Sequence, residues 1–263
     1  MSAHQCILIL VCFLVSCGRS QAEHPLQPAV DIARQCQRSM RESIYDYTCT
    51  IVRRERIDGK LGQPETIFAK VYHHKATPER DNEPVSIYMR FESPEEVAGR
   101  EVLFCNIDED AKVLVRKGGT RLPFLTLSLD PLSRFAMRGN RHPITEFGLR
   151  RLAERMAEQG EAEIRNDGCE LAINDQAELE GRACKLFEVT HPVERAHFKF
   201  HKIRIFIDTA LNLPVRFESY GWPKHEGDEP PLDEEYTYNN IRLNVGLCDR
   251  DFDRNNPEYA FAR

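Results

Sequence analysis

No basic block occurs anywhere in this 263-residue chain, and no apolar run is long enough to cross a bilayer. Lys and Arg number 36 against 42 Asp and Glu, a net charge of -6, which argues against binding a phosphate backbone. The longest apolar run, Ile7 to Val15, falls far short of the ~20 residues a membrane helix needs. Glycine (14) and proline (15) are too few for a collagen-like or linker-like chain, and there is one tryptophan. None of the six cysteines after residue 17 has C-x-x-C spacing, so neither a zinc site nor a thioredoxin-like redox motif is indicated. The signatures G-x-S-x-G, H-E-x-x-H, the P-loop and G-x-G-x-x-G are missing. What is present is 41% hydrophobic and 30% charged, with a mean hydropathy of -0.51. That composition describes a soluble globular chain with a real core. At ~150 residues per domain it makes one or two domains.

The run Ile7–Val15 has the length and position of a signal-peptide core. Leu14-Val15-Ser16-Cys17 resembles a bacterial lipobox, in which Cys17 becomes the lipidated first residue. Ser20-Gln21-Ala22 offers an alternative cleavage after residue 22. We take residues 1–16 as the signal peptide, 17–27 as a short tether and 28–263 as one domain. Either cleavage predicts export, to the periplasm or to a membrane-anchored form. The mature cysteines Cys36, Cys49, Cys105, Cys169, Cys184 and Cys248 then meet an oxidising compartment, where disulfides and buried thiols are both open. For Cys49 and Cys184, each in a strand-like run, the alternatives are a strand-bridging disulfide or two buried thiols.

Ala29, Ile32, Ala33, Cys36, Met40 and Ile44 recur at helical spacing, with Pro28 suited to a first turn. A strand Tyr47–Ile57, an Asp58-Gly59 turn and a second run Glu65–His74 follow. Val85, Ile87, Met89 and Phe91 alternate with Ser86, Tyr88 and Arg90, the clearest half-buried strand in the chain. Further strands are read at 101–107, 112–117, 169–174, 181–190, 199–208, 213–220 and 234–243. A second helix opens at Pro143, carries Leu149, Leu152, Ala153 and Met156 on its apolar face, and ends at Gly160. Nine or ten strands in hairpin succession with two helices predict an α+β fold, one large antiparallel sheet with helices on one face.

Candidate chemistry is sparse. His197 and His201 sit four apart, near His191, but in a strand-like setting such residues stand ~13 Å apart, too far to share a metal. Asp249, Asp251, Asp253 and Asn255 begin like a calcium loop, yet Arg254 and Ala260 occupy its glycine and glutamate positions. The ordinary reading is a solvated C-terminal segment. Glu95-Glu96 and Glu234-Glu235 read as charged surface. No nucleophile-plus-base arrangement is found, so we expect no catalytic residues, no metal, no cofactor and no enzyme.

Several local motifs, in order, resemble the DUF1571 family, a bacterial group of exported proteins of unknown function. They are Tyr47 with Arg54-Glu55-Arg56 and Gly59; Val85 to Phe91 with Pro94 and Gly99-Arg100-Glu101; and Gly139-Asn140-Arg141-His142-Pro143-Ile144-Thr145. Asp208 with Leu213-Pro214-Val215, Glu234 to Tyr238, and Asp251-Phe252-Asp253 with Asn256-Pro257 complete the set. That family is similar to the lipoprotein carrier LolA, its receptor LolB and the sensor domain of RseB. The resemblance implies a strongly curved sheet, an incomplete barrel, with helices closing its concave face over an apolar cavity where the carriers hold acyl chains. The expected function is a non-enzymatic envelope module that binds a lipid or lipoprotein acyl chain, as carrier or sensor. The alternative is an RseB-like interaction protein with a packed core, a protein partner and no ligand. The trough residues expected to meet a ligand are Val85, Ile87, Met89, Phe91, Leu149, Leu152, Met156, Ile203, Ile205, Val215 and Phe217.

Overall fold

The computed structural model describes residues 24–75, 84–108, 110–119, 124–166, 168–225 and 227–262. The expected signal peptide, both expected cleavage sites and Cys17 lie outside them. Helix α1 (Gln27–Ser43) leads into β1 (Asp46–Ile57), β2 (Lys60–Leu61), β3 (Glu65–His73), β4 (Val85–Ser93), β5 (Glu101–Cys105), β6 (Val113–Arg116) and β7 (Thr126–Leu129). A long connection with one 3-10 turn (Ile144–Glu146) reaches α2 (Leu149–Ile164). Then come β8 (Glu170–Leu179), β9 (Arg182–Thr190), β10 (Lys202–Asp208), β11 (Leu213–Tyr220) and β12 (Leu232–Leu243).

All twelve strands join one antiparallel sheet in the order β7-β6-β5-β4-β3-β1-β12-β11-β10-β9-β8, with β2 paired to β1. The sheet is not closed: β7 and β8 are its two edges. The long-range pair β1–β12 is the seam where the two runs of hairpins meet. The Asp58-Gly59 turn is as read, with both residues at positive φ, and it returns β1 into β2.

Helix α2 starts later and runs longer than its sequence suggests. Gly148 takes φ 105, the Tyr47 hydroxyl accepts from the Leu149 N–H at 2.9 Å, and the helix begins there instead of at Pro143. A side chain at Gly148 would meet that hydroxyl, since a Cβ there lies 2.8 Å from it. Gly160 does not end the helix. It lies against Val30 of α1, and its missing Cβ lets the two helices close on each other.

The core fills the concave face, where Cys49, Ile51, Ile67, Ala69, Val71, Ile87, Phe104 and Leu213 are buried beneath Met40, Ile44 and Leu149. The convex face is covered by the C-terminal segment, which period-two alternation did not foresee. Tyr88, on the side of β4 read as polar, is buried against Leu103, Phe252, Tyr259 and Phe261. Tyr259 stacks on Tyr88 at 3.8 Å between ring centres, and the Tyr88 hydroxyl donates to Glu101 at 3.0 Å. The C-terminal segment is therefore packed, not solvated. Its Asp251 accepts from Lys70 at 2.9 Å and Asp253 accepts from the Asn255 N–H at 2.8 Å, so these carboxylates serve local structure. Cys36, Cys49 and Cys184 are buried thiols, which settles the Cys49/Cys184 alternatives against a disulfide. Burial pushes the Cys36 thiol up to about 11 and raises Cys49 further.

Candidate functional site

Two cavities of about 410 and 400 Å³ lie on the concave face. The first is roofed by α1 and α2 and floored by β9 to β11: Val30, Met156 and Gly160 face Phe187, Ile203 and Ile205. The second lies over β1 and β3 to β7 and is covered by residues 131–148: Met89, Phe91, Val102 and Val115 face Phe135, Ile144 and Phe147. His142, Leu152, Arg155 and Phe217 line both, so the two adjoin along one trough, with these four residues at the waist between them.

Seven of the eleven expected ligand residues face this trough: Met89, Phe91, Leu152, Met156, Ile203, Ile205 and Phe217. Four do not. Ile87 and Leu149 are fully buried in the packed core, and Val85 packs against its edge, because the trough opens toward the other end of β4. Val215 lies in a separate cluster with Leu179, Cys184 and Phe206. The register slips between Phe206 and Ile207, which pair with Arg216 and Pro214, so Val215 is the extra residue of a bulge. A bulge breaks strict alternation, and the expected inward direction of Val215 fails for that reason.

A polar network spans the seam beside the waist. The Tyr236 hydroxyl donates to Glu55 and lies 3.2 Å from Glu234. His142 Nε2 lies 2.6 Å from Glu234, Ser219 donates to Glu234 at 3.2 Å, and the Arg141 N–H donates to Glu55 at 3.0 Å. Arg141 also reaches the Arg56 carbonyl at 3.1 Å. Three motifs from distant parts of the chain thus converge: Arg54-Glu55-Arg56, Arg141-His142-Pro143 and Glu234-Glu235-Tyr236. Burial favours the neutral form of Glu234, but the bonds and charges of His142, Arg141 and Arg155 outweigh it and lower its pKa. Burial and the charges on Glu234 and Glu55 raise Tyr236 far above the usual phenol range. Glu234 is 5% exposed, so its reading as surface charge is corrected; the signal was its place among the motifs that carry the family resemblance, not its residue type.

Residues 44–261 match the model of the family described as "Protein of unknown function (DUF1571)". This chain belongs to that family. No curated protein matches it. Among solved structures, the DUF1571 chain is similar to a DUF1329 family protein from Desulfovibrio piger, at 15% identity over 88% of this chain and 98% of that one, TM-score 0.43. It is also similar to the Mycobacterium tuberculosis lipoprotein LppX, at 12% identity over 84% and 98%, TM-score 0.41. The Pseudomonas aeruginosa MucA/MucB complex matches at 14% identity over 86% of this chain and 60% of that one, TM-score 0.41. Likeness at this level carries nothing about ligand or activity.

Two of the histidines noted in the sequence flank the β9–β10 connection, His191 just after β9 and His201 just before β10. His191 of the DUF1571 chain is fully buried, with Nε2 3.1 Å from Glu163 and Nδ1 3.0 Å from the Phe200 carbonyl. His201 Nδ1 lies 3.0 Å from the His191 carbonyl and its ring faces Trp222. Among the described residues no three His, Cys, Asp or Glu side chains gather as metal ligands, and no helix is long and apolar enough to cross a membrane. At the second cavity, Phe135 is 75% exposed and shares the lining with Leu125 and with Leu127 of the edge strand, and neighbouring Leu132 is 71% exposed.

Proposed function

We propose that this chain is an exported, non-enzymatic binding module that holds a lipid, or the acyl chain of a lipoprotein, in the concave trough. The observation that carries the reading is the pair of adjoining cavities on the concave face, walled by Met89, Phe91, Leu152, Ile203 and Phe217. Cavities of ~300–1,000 Å³ with mostly apolar walls are the usual size and character of small-ligand sites. Burying a sixteen-carbon chain is worth roughly 0.8 kcal/mol per methylene, about 12 kcal/mol in all. Ordering the chain and the protein takes back several kcal/mol. A net of about -8 kcal/mol, or micromolar affinity, remains within reach. The exposed Phe135, which also lines the second cavity, supplies an apolar step from the surface into it. The open trough weighs against the alternative, a packed interaction protein without a ligand.

Displacement of a neutral fluorescent probe, N-phenyl-1-naphthylamine, from the delipidated domain tests the reading. Trp222 lines neither cavity and is unsuited as a reporter. Saturable binding and its displacement by acyl amphiphiles are expected. Met89→Glu should weaken both, because it replaces an acyl-contacting wall among Ile51, Ile67 and Phe91 with a charged group that an apolar chain must desolvate. An unchanged circular-dichroism spectrum controls for folding. A folded wild-type domain that takes up no acyl probe rules the reading out. Export as a lipoprotein is tested separately: Cys17→Ala should release the protein from membranes, and an intact mass starting at an unmodified Glu23 would replace the lipobox with the second cleavage site.

A further inference from the structure

The second cavity is apolar in its walls but cationic in its charge. Arg53, Arg100, Lys117, Arg138 and Arg155 line it, against Glu55 and Glu146 alone. Both carboxylates are engaged: Glu55 by Tyr236 and the Arg141 N–H, Glu146 by Arg151 at 3.0 Å. Arg53 has its own partner in Glu65 at 2.7 Å. Among the described residues, Arg100, Lys117, Arg138 and Arg155 have no ion pair. That excess of positive charge belongs to a chain whose net charge is -6.

Arg100 and Lys117 stand side by side. The β5–β6 ladder ends on the pair Glu101 and Arg116. One step further, the same register sets Arg100 opposite Lys117 on the face that carries Val102 and Val115, both of which line the cavity. Like charges directly opposite in a sheet repel and destabilise it. Here the Phe91 ring, 5.0 Å from the Arg100 guanidinium, and the charge of Glu65 offset part of the repulsion. Burial and the neighbouring Arg53 lower the Arg100 pKa, with Glu65 opposing. Arg155, at the waist, differs: it acts on Glu234, whose pKa it helps to lower.

We propose that Arg100 and Lys117 form the headgroup subsite of the trough, and that its ligand is an acyl amphiphile bearing an oxyanion, a carboxylate or a phosphate. The assignment rests on the acyl-binding reading and adds to it the headgroup class and orientation. The oxyanion sits between the two cations at the end of β5 and β6, and the chain runs inward past Phe91 and Met89. An oxyanion there accepts charge-assisted hydrogen bonds from both side chains and removes their mutual repulsion, a gain of roughly tenfold or more in affinity over a neutral headgroup.

The test is a comparison of three amphiphiles of one chain length, each below its aggregation threshold: palmitate, hexadecyl phosphate and 1-palmitoylglycerol. Each displaces N-phenyl-1-naphthylamine from the wild-type domain. The two anions should compete about tenfold better than the neutral glyceride. The tighter of the two identifies carboxylate or phosphate as the preferred source. Arg100→Met with Lys117→Met should bring the ratio of anionic to neutral affinity close to one. Lys60→Met, an exposed site on β2, should leave that ratio where it was. Equal competition by all three amphiphiles in the wild type overturns the headgroup class while leaving acyl binding intact. An anion preference that survives Arg100→Met and Lys117→Met but disappears in Arg155→Met overturns the placement. Failure of every amphiphile to displace the probe sinks the acyl-binding reading itself, and the subsite with it.

Discussion

Replacing Gly160 by alanine should destabilise the protein, although alanine is the better helix former. In an exposed helix the change gains about 1 kcal/mol. Here the added Cβ lies 2.6 Å from Val30 Cγ2, well inside contact distance, and Val30 is 1% exposed and stiff at χ1, so its methyl yields only at a cost. Overpacking of this kind costs about 1–3 kcal/mol. The balance is a net loss of roughly 0–2 kcal/mol, against a gain if the helices were apart. Val30→Ala alone removes two buried methyls and should cost about 1.5–2.5 kcal/mol. In the double variant the new alanine methyl occupies the space the valine gave up, so the two changes together should cost less than their sum, by about 1–3 kcal/mol. Urea unfolding followed by circular dichroism at four corners of the cycle measures that coupling. A Gly160→Ala variant that is more stable than wild type by about 1 kcal/mol, with additive behaviour in the double variant, would refute the close approach of α1 to α2. Because Val30 and Gly160 both line the first cavity, the same cycle also reports on its roof.

Three other outcomes are expected. Glu234 has a lowered pKa in the folded state, so its contribution to stability is present above its unfolded value near 4.5 and is lost as pH falls through the lower folded value. The stability gap between wild type and Glu234→Gln should therefore be full at pH 6 and narrow steadily below about pH 4.5; a gap independent of pH between 3 and 6 contradicts the role given to His142 and Arg141. Tyr259→Ala should cost about 3–5 kcal/mol in unfolding free energy, as for removal of a buried aromatic, since its ring stacks on Tyr88; a cost under about 1 kcal/mol means the C-terminal segment is not part of the fold. With a thiol reagent at pH 8, exposed Cys248 should react in the native protein while Cys36, Cys49 and Cys184 react only after unfolding, and fast native labelling of Cys49 would place it outside the core.

The sequence by itself determined the local pieces. The helical stripe through Ala33, Cys36 and Met40 is buried as read, and the hairpins at Asp58-Gly59 and between Asp208 and Leu213 form as read. These signals are local: a period of 3.6 or 2, or a turn residue with a conformational preference, needs no knowledge of the rest of the chain. The same signals gave Met89, Phe91, Ile203, Ile205 and Phe217 as inward-facing residues. They missed the end of β8, because Asp175 and Gln176 interrupt the apolar pattern of an exposed edge strand whose register slips between Asn174 and Ala177.

Only the tertiary structure decided what covers each face. Tyr88 is buried because residues from the far C-terminal end lie on it, and Glu234 is buried because Arg141 and His142 close over it from a separate loop. Val215 points outward because a single inserted residue shifts the phase of β11. The trough itself has no signature in the residues that line it. Met89 beside an empty volume and Ile87 in a filled one have the same alternation on the same strand. Whether an apolar face is a core or a site depends on how much volume the covering segments supply, and that is a sum over parts of the chain that sequence patterns treat one at a time.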